Sequence, residues 1–241
     1  VIYAGAGATI DRSGLSWKSM IDGLLELHIS DEVKRNALFE NQFEVEVGTI
    51  ARRLFHQTYG GDDAEGRLVD QLKLKLYGPA QWRAGLLLDA LGELAQSWVE
   101  HRHVIFVTPN YDDYLLRHLL ELFPNELRVL SPKLIEDNRL VWEHRFGASE
   151  EDVPENELDF ATGRVTLVQL HGLVESSPRS PMNWSPVVSE IDYLLTEERS
   201  ARALSQLFLG NDILMVGTSL RDGPLLRALH GRVKSEQDES T

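Results

Sequence analysis

Cysteine is absent from all 241 residues. That absence excludes disulfides, thiolate-bound zinc, iron–sulfur clusters and a thiol nucleophile, and it fits a reducing, cytoplasmic setting. No apolar run approaches the ~20 residues that a membrane-spanning helix needs, and no signal-peptide pattern opens the chain, so no membrane partner is expected. Basic residues are scarce, with 24 Lys and Arg against 38 Asp and Glu and a formal net charge of -14. Neutralised phosphates supply much of the affinity for nucleic acid, so direct nucleic-acid binding is not expected either. No pair of the eight histidines has metal-ligand spacing, which predicts no bound metal.

What remains is ordinary globular composition, 42% hydrophobic and 26% charged, in a chain long enough to bury a core without a staple. Val1-Ile2-Tyr3-Ala4 has the texture of a strand already in progress, which predicts further residues upstream. The polar end, residues 234–241, predicts a tail or linker, leaving 1–233 as the domain. Apolar runs of strand length follow at 104–107, 127–130, 140–142, 165–170 and 213–216. Helical spacing predicts helices at 17–28, with Ser16 as its cap, then at 42–58, 66–77, 81–99, 111–123, 187–195, 198–209 and 223–233. Gly60-Gly61-Asp62-Asp63 divides the helical stretch at 17–100, and the acid-rich segment 144–163, with Gly147, Pro154 and Gly163, predicts a loop. Strands alternating with helices give the fold class: α/β, a Rossmann-like and mainly parallel sheet flanked by helices, with 17–100 as a helical inserted module.

In such sheets ligands bind beyond the carboxyl ends of the strands. After the first strand comes Gly5-Ala6-Gly7-Ala8-Thr9. Its glycines either let a pyrophosphate approach the backbone or make a tight strand–helix turn, and Ile10 stands where a third fingerprint glycine would be. After residues 104–107 comes Thr108-Pro109-Asn110-Tyr111-Asp112. Asn110 and Asp112 either cap the next helix or place an amide and a carboxylate at the mouth of the sheet. His171-Gly172 follows 165–170, and the imidazole is either structural or a base suited to neutral pH. Gly217-Thr218-Ser219-Leu220-Arg221-Asp222 follows the last strand. Its hydroxyls suit ribose and phosphate contacts, or else Asp222 begins a capped helix ahead of Gly223-Pro224.

Gly-Ala-Gly, Thr-x-Asn-x-Asp, His-Gly and Gly-Thr-Ser, in that order and each behind an apolar strand, resemble the sirtuin (silent information regulator) superfamily over roughly residues 1 to 225. The deacylases of that superfamily carry a four-cysteine zinc ribbon after His-Gly, and a Gly-Ile-Pro-Asp-Phe-Arg stretch after the glycine loop. This chain has no cysteine, has Ser13-Gly14-Leu15-Ser16-Trp17-Lys18 in place of that stretch, and has Pro109 where they have Gln. Gly-Leu-Ser-Trp, Asn-Tyr-Asp and Ser189-Glu190-Ile191-Asp192-Tyr193 are similar instead to the bacterial sirtuin-like NADase domains of antiphage defence proteins.

The resemblance implies a hydrolase that takes NAD as substrate, without a metal, and releases nicotinamide and ADP-ribose. Gly5, Ala6 and Gly7 would hold the pyrophosphate, Gly217, Thr218 and Ser219 would line the adenosine side, and Thr9 and Asp222 would also bind NAD. Asp112 would face the carboxamide or hold the loop, and Asn110 and His171 would act on the ribose or the attacking water. Partners implied are copies of the chain or a sensor domain or subunit. An NAD-dependent deacylase and a non-catalytic NAD or ADP-ribose sensor are the alternatives. The sensor would need the glycine loop but not both Asn110 and His171.

Overall fold

The apolar runs of the sequence become strands of one sheet. The computed structural model describes residues 1–42, 44–78, 83–134, 140–146, 149–153, 164–176, 190–220 and 222–238. The strands are β1 (Ile2–Ala4), β2 (Val104–Thr108), β3 (Leu127–Leu134), β4 (Leu140–Phe146), β5 (Ser149–Val153), β6 (Val165–Gln169) and β7 (Leu214–Val216). Their order is β5-β4-β3-β6-β2-β1-β7. The five strands β3, β6, β2, β1 and β7 are parallel, and β4 and β5 extend the sheet as an antiparallel pair. Every residue of β2 and β6 is buried, as expected of central strands covered on both faces. β7 lies at the edge and is partly exposed.

The helices are α1 (Ile10–Ser13), α2 (Trp17–Leu25), α3 (Glu32–Asn41), α4 (Glu44–Tyr59), α5 (Gly61–Tyr77), α6 (Leu86–Val99), α7 (Tyr114–Leu122), α8 (Glu190–Phe208) and α9 (Gly223–Asp238). Leu88, Leu91 and Ala95 of α6 and Leu115 and Leu119 of α7 pack on one face of the sheet against Ile2, Phe106 and Leu167. Leu204, Phe208 and Leu225 of α8 and α9 pack on the other face against Tyr3, Val107 and Val168. A separate core of Ile21, Leu24, Phe55 and Leu72 joins α2, α4 and α5. The α/β architecture with a helical module is thus the one expected, and α6 belongs to the sheet layer.

Several bounds differ from the sequence expectation. Segment 144–163 is not all loop, because β4 runs to Phe146 and Ser149–Val153 forms β5. Its charge hides it, and charged residues are what a sheet edge tolerates. The predicted helices at 187–195 and 198–209 are the one helix α8 from Glu190, with 187–189 outside the described residues. The break at 60–63 is narrower, since Gly60 alone takes a left-handed φ of 73° and α5 begins at Gly61. α6 begins at Leu86, and Gln81 and Trp82 lie outside the described residues. α3 gives no apolar signal because its sequence is polar, and Asp31 caps it through the Val33 and Lys34 amides. α9 continues past residue 233 to Asp238. Ser16 does cap α2, accepting the Ser19 N–H at 3.1 Å.

Candidate active site

Parallel alignment opens the loops after β1, β2, β6 and β7 at the same end of the sheet. The first of these loops is a tight turn over Ala6–Ala8. A Cβ on Gly7 would sit 2.7 Å from the Cα of Gly217, and one on Gly5 would sit 2.7 Å from the Gly217 carbonyl oxygen. The glycines are therefore required where the β1 and β7 loops meet. Their amides are engaged there too. Gly5 N–H donates to Val216 O at 2.9 Å, Gly7 N–H to Gly217 O at 2.8 Å, Ala8 N–H to Gly5 O at 2.9 Å and Thr9 N–H to Ala6 O at 3.2 Å. An anion bound here would meet the Ala6 N–H and side chains rather than a ring of amides.

The loop after β2 joins that turn through a polar relay. The Asn110 Nδ2 donates to Gly5 O and to Thr9 Oγ1, both at 3.3 Å. Thr9 Oγ1 donates to Asp112 Oδ2 at 3.0 Å, and the Tyr114 N–H donates to Asp112 Oδ1 at 3.2 Å. Asp112 thus holds both the β1 loop and the start of α7, whereas Asn110 caps nothing and reaches across to β1. Both are buried.

Burial pushes the Asp112 carboxyl up from 3.8 to about 6, against the opposing effect of the Thr9 hydrogen bond. Between those two values the folded chain keeps a proton that the unfolded chain has lost. Stability therefore falls as pH rises through that window, by about 3 kcal/mol in full above pH 6. Asp112→Asn carries no such charge. Its stability relative to the parent chain should rise between pH 4 and pH 7 in urea unfolding, and a constant difference across that range would refute the assignment.

The third loop brings His171 to Asp222. His171 Nε2 lies 3.0 Å from Asp222 Oδ2, and the imidazole is buried. The other carboxylate oxygen, Oδ1, accepts the Leu225 N–H at 3.0 Å and so caps α9. The carboxylate of Asp222 thus caps the start of α9 with one oxygen and lies beside His171 with the other. Just before it, Leu220 holds a left-handed φ of 54°, with its N–H on Thr218 Oγ1. Non-glycine residues rarely sit there, and such strain concentrates at functional loops.

Together these loops line one cleft of about 730 Å³, a size usual for small-molecule sites. Gly5, Ala6, Gly7, Thr9, Asn110, Asp112, His171, Gly217, Thr218, Ser219 and Asp222 all line it. Apolar residues line it as well, namely Ile10, Leu15, Trp17, Met20 and Leu76 together with Tyr111, whose hydroxyl accepts from Trp17 Nε1 at 3.4 Å. Sequence reasoning places Trp17 and Met20 only on a helical stripe and gives no signal for Leu76 or for the His171–Asp222 pairing. Lys18 also lines the cleft, with its ammonium 5.2 Å from the Phe39 ring. The Arg12 guanidinium lies over the Tyr114 ring, and Arg221 and Ser189 lie outside the described residues.

Among the described residues no group of three or more His, Asp or Glu side chains is placed to hold a metal ion, and no helix among them is long and apolar enough to cross a membrane. A search of curated proteins finds no match to the chain. The family model for the SIR2-like domain matches residues 104–241, which carry Asn110, Asp112, His171, the Gly217-Thr218-Ser219 loop and Asp222. Over half the chain thus fits that description, and the remaining β1 loop is bonded into the same site, so the chain belongs to the SIR2-like domain family of generally NAD-utilising, sirtuin-like proteins.

Proposed function

We propose that the chain is an NAD glycohydrolase that cleaves NAD to nicotinamide and ADP-ribose, acting as the effector domain of a bacterial antiphage defence protein. The carrying observation is the cleft itself, which is lined both by Asn110, tied to the glycine turn, and by a buried His171–Asp222 pair. In the reaction the bond between the nicotinamide nitrogen and ribose C1′ breaks, and nicotinamide keeps the electron pair. Water adds to the oxocarbenium-like carbon, and its proton passes to a base. His171, held 3.0 Å from the Asp222 carboxylate, is the base that takes that proton. Asn110, its Nδ2 committed to Gly5 and Thr9, offers its carbonyl oxygen to a ribose hydroxyl or the water. Asp112 keeps the Asn110 loop and the glycine turn together. Gly5, Ala6, Gly7 and Thr9 contact the pyrophosphate side, and Gly217, Thr218 and Ser219 the adenosine side. A dissociative reaction suits a cleft with few strong nucleophiles, because positioning and fixed dipoles lower its barrier.

This reading implies restraint by assembly with copies of the chain or with a sensor domain or subunit, since an unchecked NAD hydrolase would poison its own cell. Incubation with NAD followed by chromatography tests it. Equimolar nicotinamide and ADP-ribose are expected without any acylated peptide. Cleavage that requires an acyl-lysine peptide, or stoichiometric NAD binding without nicotinamide release from the full assembly, would overturn it.

A further inference from the structure

The loops bearing Asn110 and His171 are also joined through the end of α5, in the helical module. The Tyr77 hydroxyl accepts the Asp113 N–H at 2.7 Å and donates to the Val174 carbonyl. The Val174 N–H donates to Tyr111 O at 2.7 Å. Ser176 donates to the Asp113 carboxylate through both its N–H and its hydroxyl. The segment leaving His171 is thus a strap, tied at Val174 and Ser176 to residues that directly follow Asn110. Val174 is fully buried in the module's own apolar core. Between His171 and Val174, Gly172 takes a φ of 82° and Leu173 is buried in the sheet's core.

We infer that Tyr77 is a positioning residue, through which the helical module sets the placement of His171 against Asn110. The inference rests on the reading that those two residues act on NAD. One phenol touches three segments: the end of α5, the start of α7 and the His171 strap. Burial raises the Tyr77 pKa well above the usual phenol value, which keeps the donor to Val174 protonated. Asp113 and Val174 are both buried, so loss of the hydroxyl leaves the Asp113 N–H and the Val174 C=O in need of new partners, and the two loops shift to find them. Any displacement of α5 would act on both loops at once, and this gives a partner bound to the module a route to the site.

The test compares Tyr77→Phe with Tyr114→Phe. The Tyr114 hydroxyl belongs to the same junction but donates to Leu76 O at 2.7 Å rather than to Val174. Displacements near 1 Å can cost on the order of 10²-fold in rate. Tyr77→Phe should therefore lower kcat for nicotinamide release at least tenfold, with KM for NAD changed little, while Tyr114→Phe stays near the parent rate. The ring-nitrogen NMR signals of His171, assigned by their loss in His171→Ala, should move in Tyr77→Phe and not in Tyr114→Phe. Equal kcat values for the two variants, or unmoved His171 signals, would overturn the inference. If Tyr77→Phe fails to fold by circular dichroism, Asp113→Asn loosens the strap at Ser176 and carries the same expectation. Should His171→Ala itself keep turning over NAD, the catalytic reading falls, and the NMR comparison alone decides the role of Tyr77.

Discussion

Replacing His171 with alanine is expected to cut nicotinamide release by ~10²- to 10⁴-fold, the usual worth of general-base assistance. Asn110→Ala should fall in the same range if, as proposed, the amide positions the ribose or water for the same step. The double variant should lose much less than the product of the two losses, since neither group helps much without the other. NAD affinity should change less than turnover, because the β1 and β7 loops keep their hydrogen bonds to each other in both variants. Asp222→Asn separates the two duties of that carboxylate. Asparagine caps helices about as well as aspartate, so the start of α9 should survive. What is lost is a charge-assisted hydrogen bond to His171, worth about 1.5–3 kcal/mol, or roughly 10- to 10²-fold in rate. His103 precedes β2 at the far end of the sheet and is exposed, so His103→Ala should keep near-parent activity. A folded His171→Ala that turns over normally would remove the catalytic assignment, and one that no longer binds NAD would make His171 a binding residue.

The central strands are legible in the sequence because they are buried on both faces. Val104-Ile105-Phe106-Val107 can be read without a partner, since every residue is apolar whichever way it points. β5 cannot be, because Ser149-Glu150-Glu151-Asp152-Val153 at an edge has no apolar side to show. Loop residues Gly5, Asn110, His171 and Gly217 are legible for a similar reason. Parallel topology sends every loop after a strand to one end, so their convergence follows from strand direction alone.

What cannot be read is which loop residues touch. The His171–Asp222 pair joins positions separated by 51 residues, and Asp222 carries an N-cap signal that accounts for it without the histidine. Tyr77 sits at the end of a helical stripe as an ordinary apolar position. Its hydroxyl matters only because α5 ends where two loops pass, a consequence of how the module docks on the sheet. The glycines stand out in the sequence, but for an incomplete reason. Phosphate approach and loop-on-loop packing both demand glycine, and only the spacing between Gly7 and Gly217 distinguishes them.

That spacing makes Gly217→Ala the substitution with the largest expected effect on stability. Gly217 has a φ of 63°, and a Cβ there would lie 2.3 Å from Ala8 N and 2.5 Å from Gly7 C. Both are backbone atoms, so no rotamer change relieves the overlap. The β1 and β7 loops would have to part, and the hydrogen bond from Gly7 N–H to Gly217 O at 2.8 Å would break with them. The left-handed conformation alone costs an alanine roughly 1–2 kcal/mol, and the lost buried hydrogen bond adds about 1. Moving two strand ends out of register adds to both, so a total above about 3 kcal/mol is expected, a large part of the ~5–15 kcal/mol that holds a domain folded. Gly210 isolates the packing contribution. Its φ is 77° and nothing lies within 4 Å of the position a Cβ would take, so Gly210→Ala bears the conformational cost without the clash. Urea unfolding should therefore show a modest loss for Gly210→Ala and a loss at least twofold larger for Gly217→Ala. Nucleotide binding should weaken only in Gly217→Ala, as the Gly5–Gly7 turn moves with the parted loops. Equal losses for the two variants would mean that the β1 and β7 loops yield easily, and that the glycines owe their places to a ligand rather than to each other.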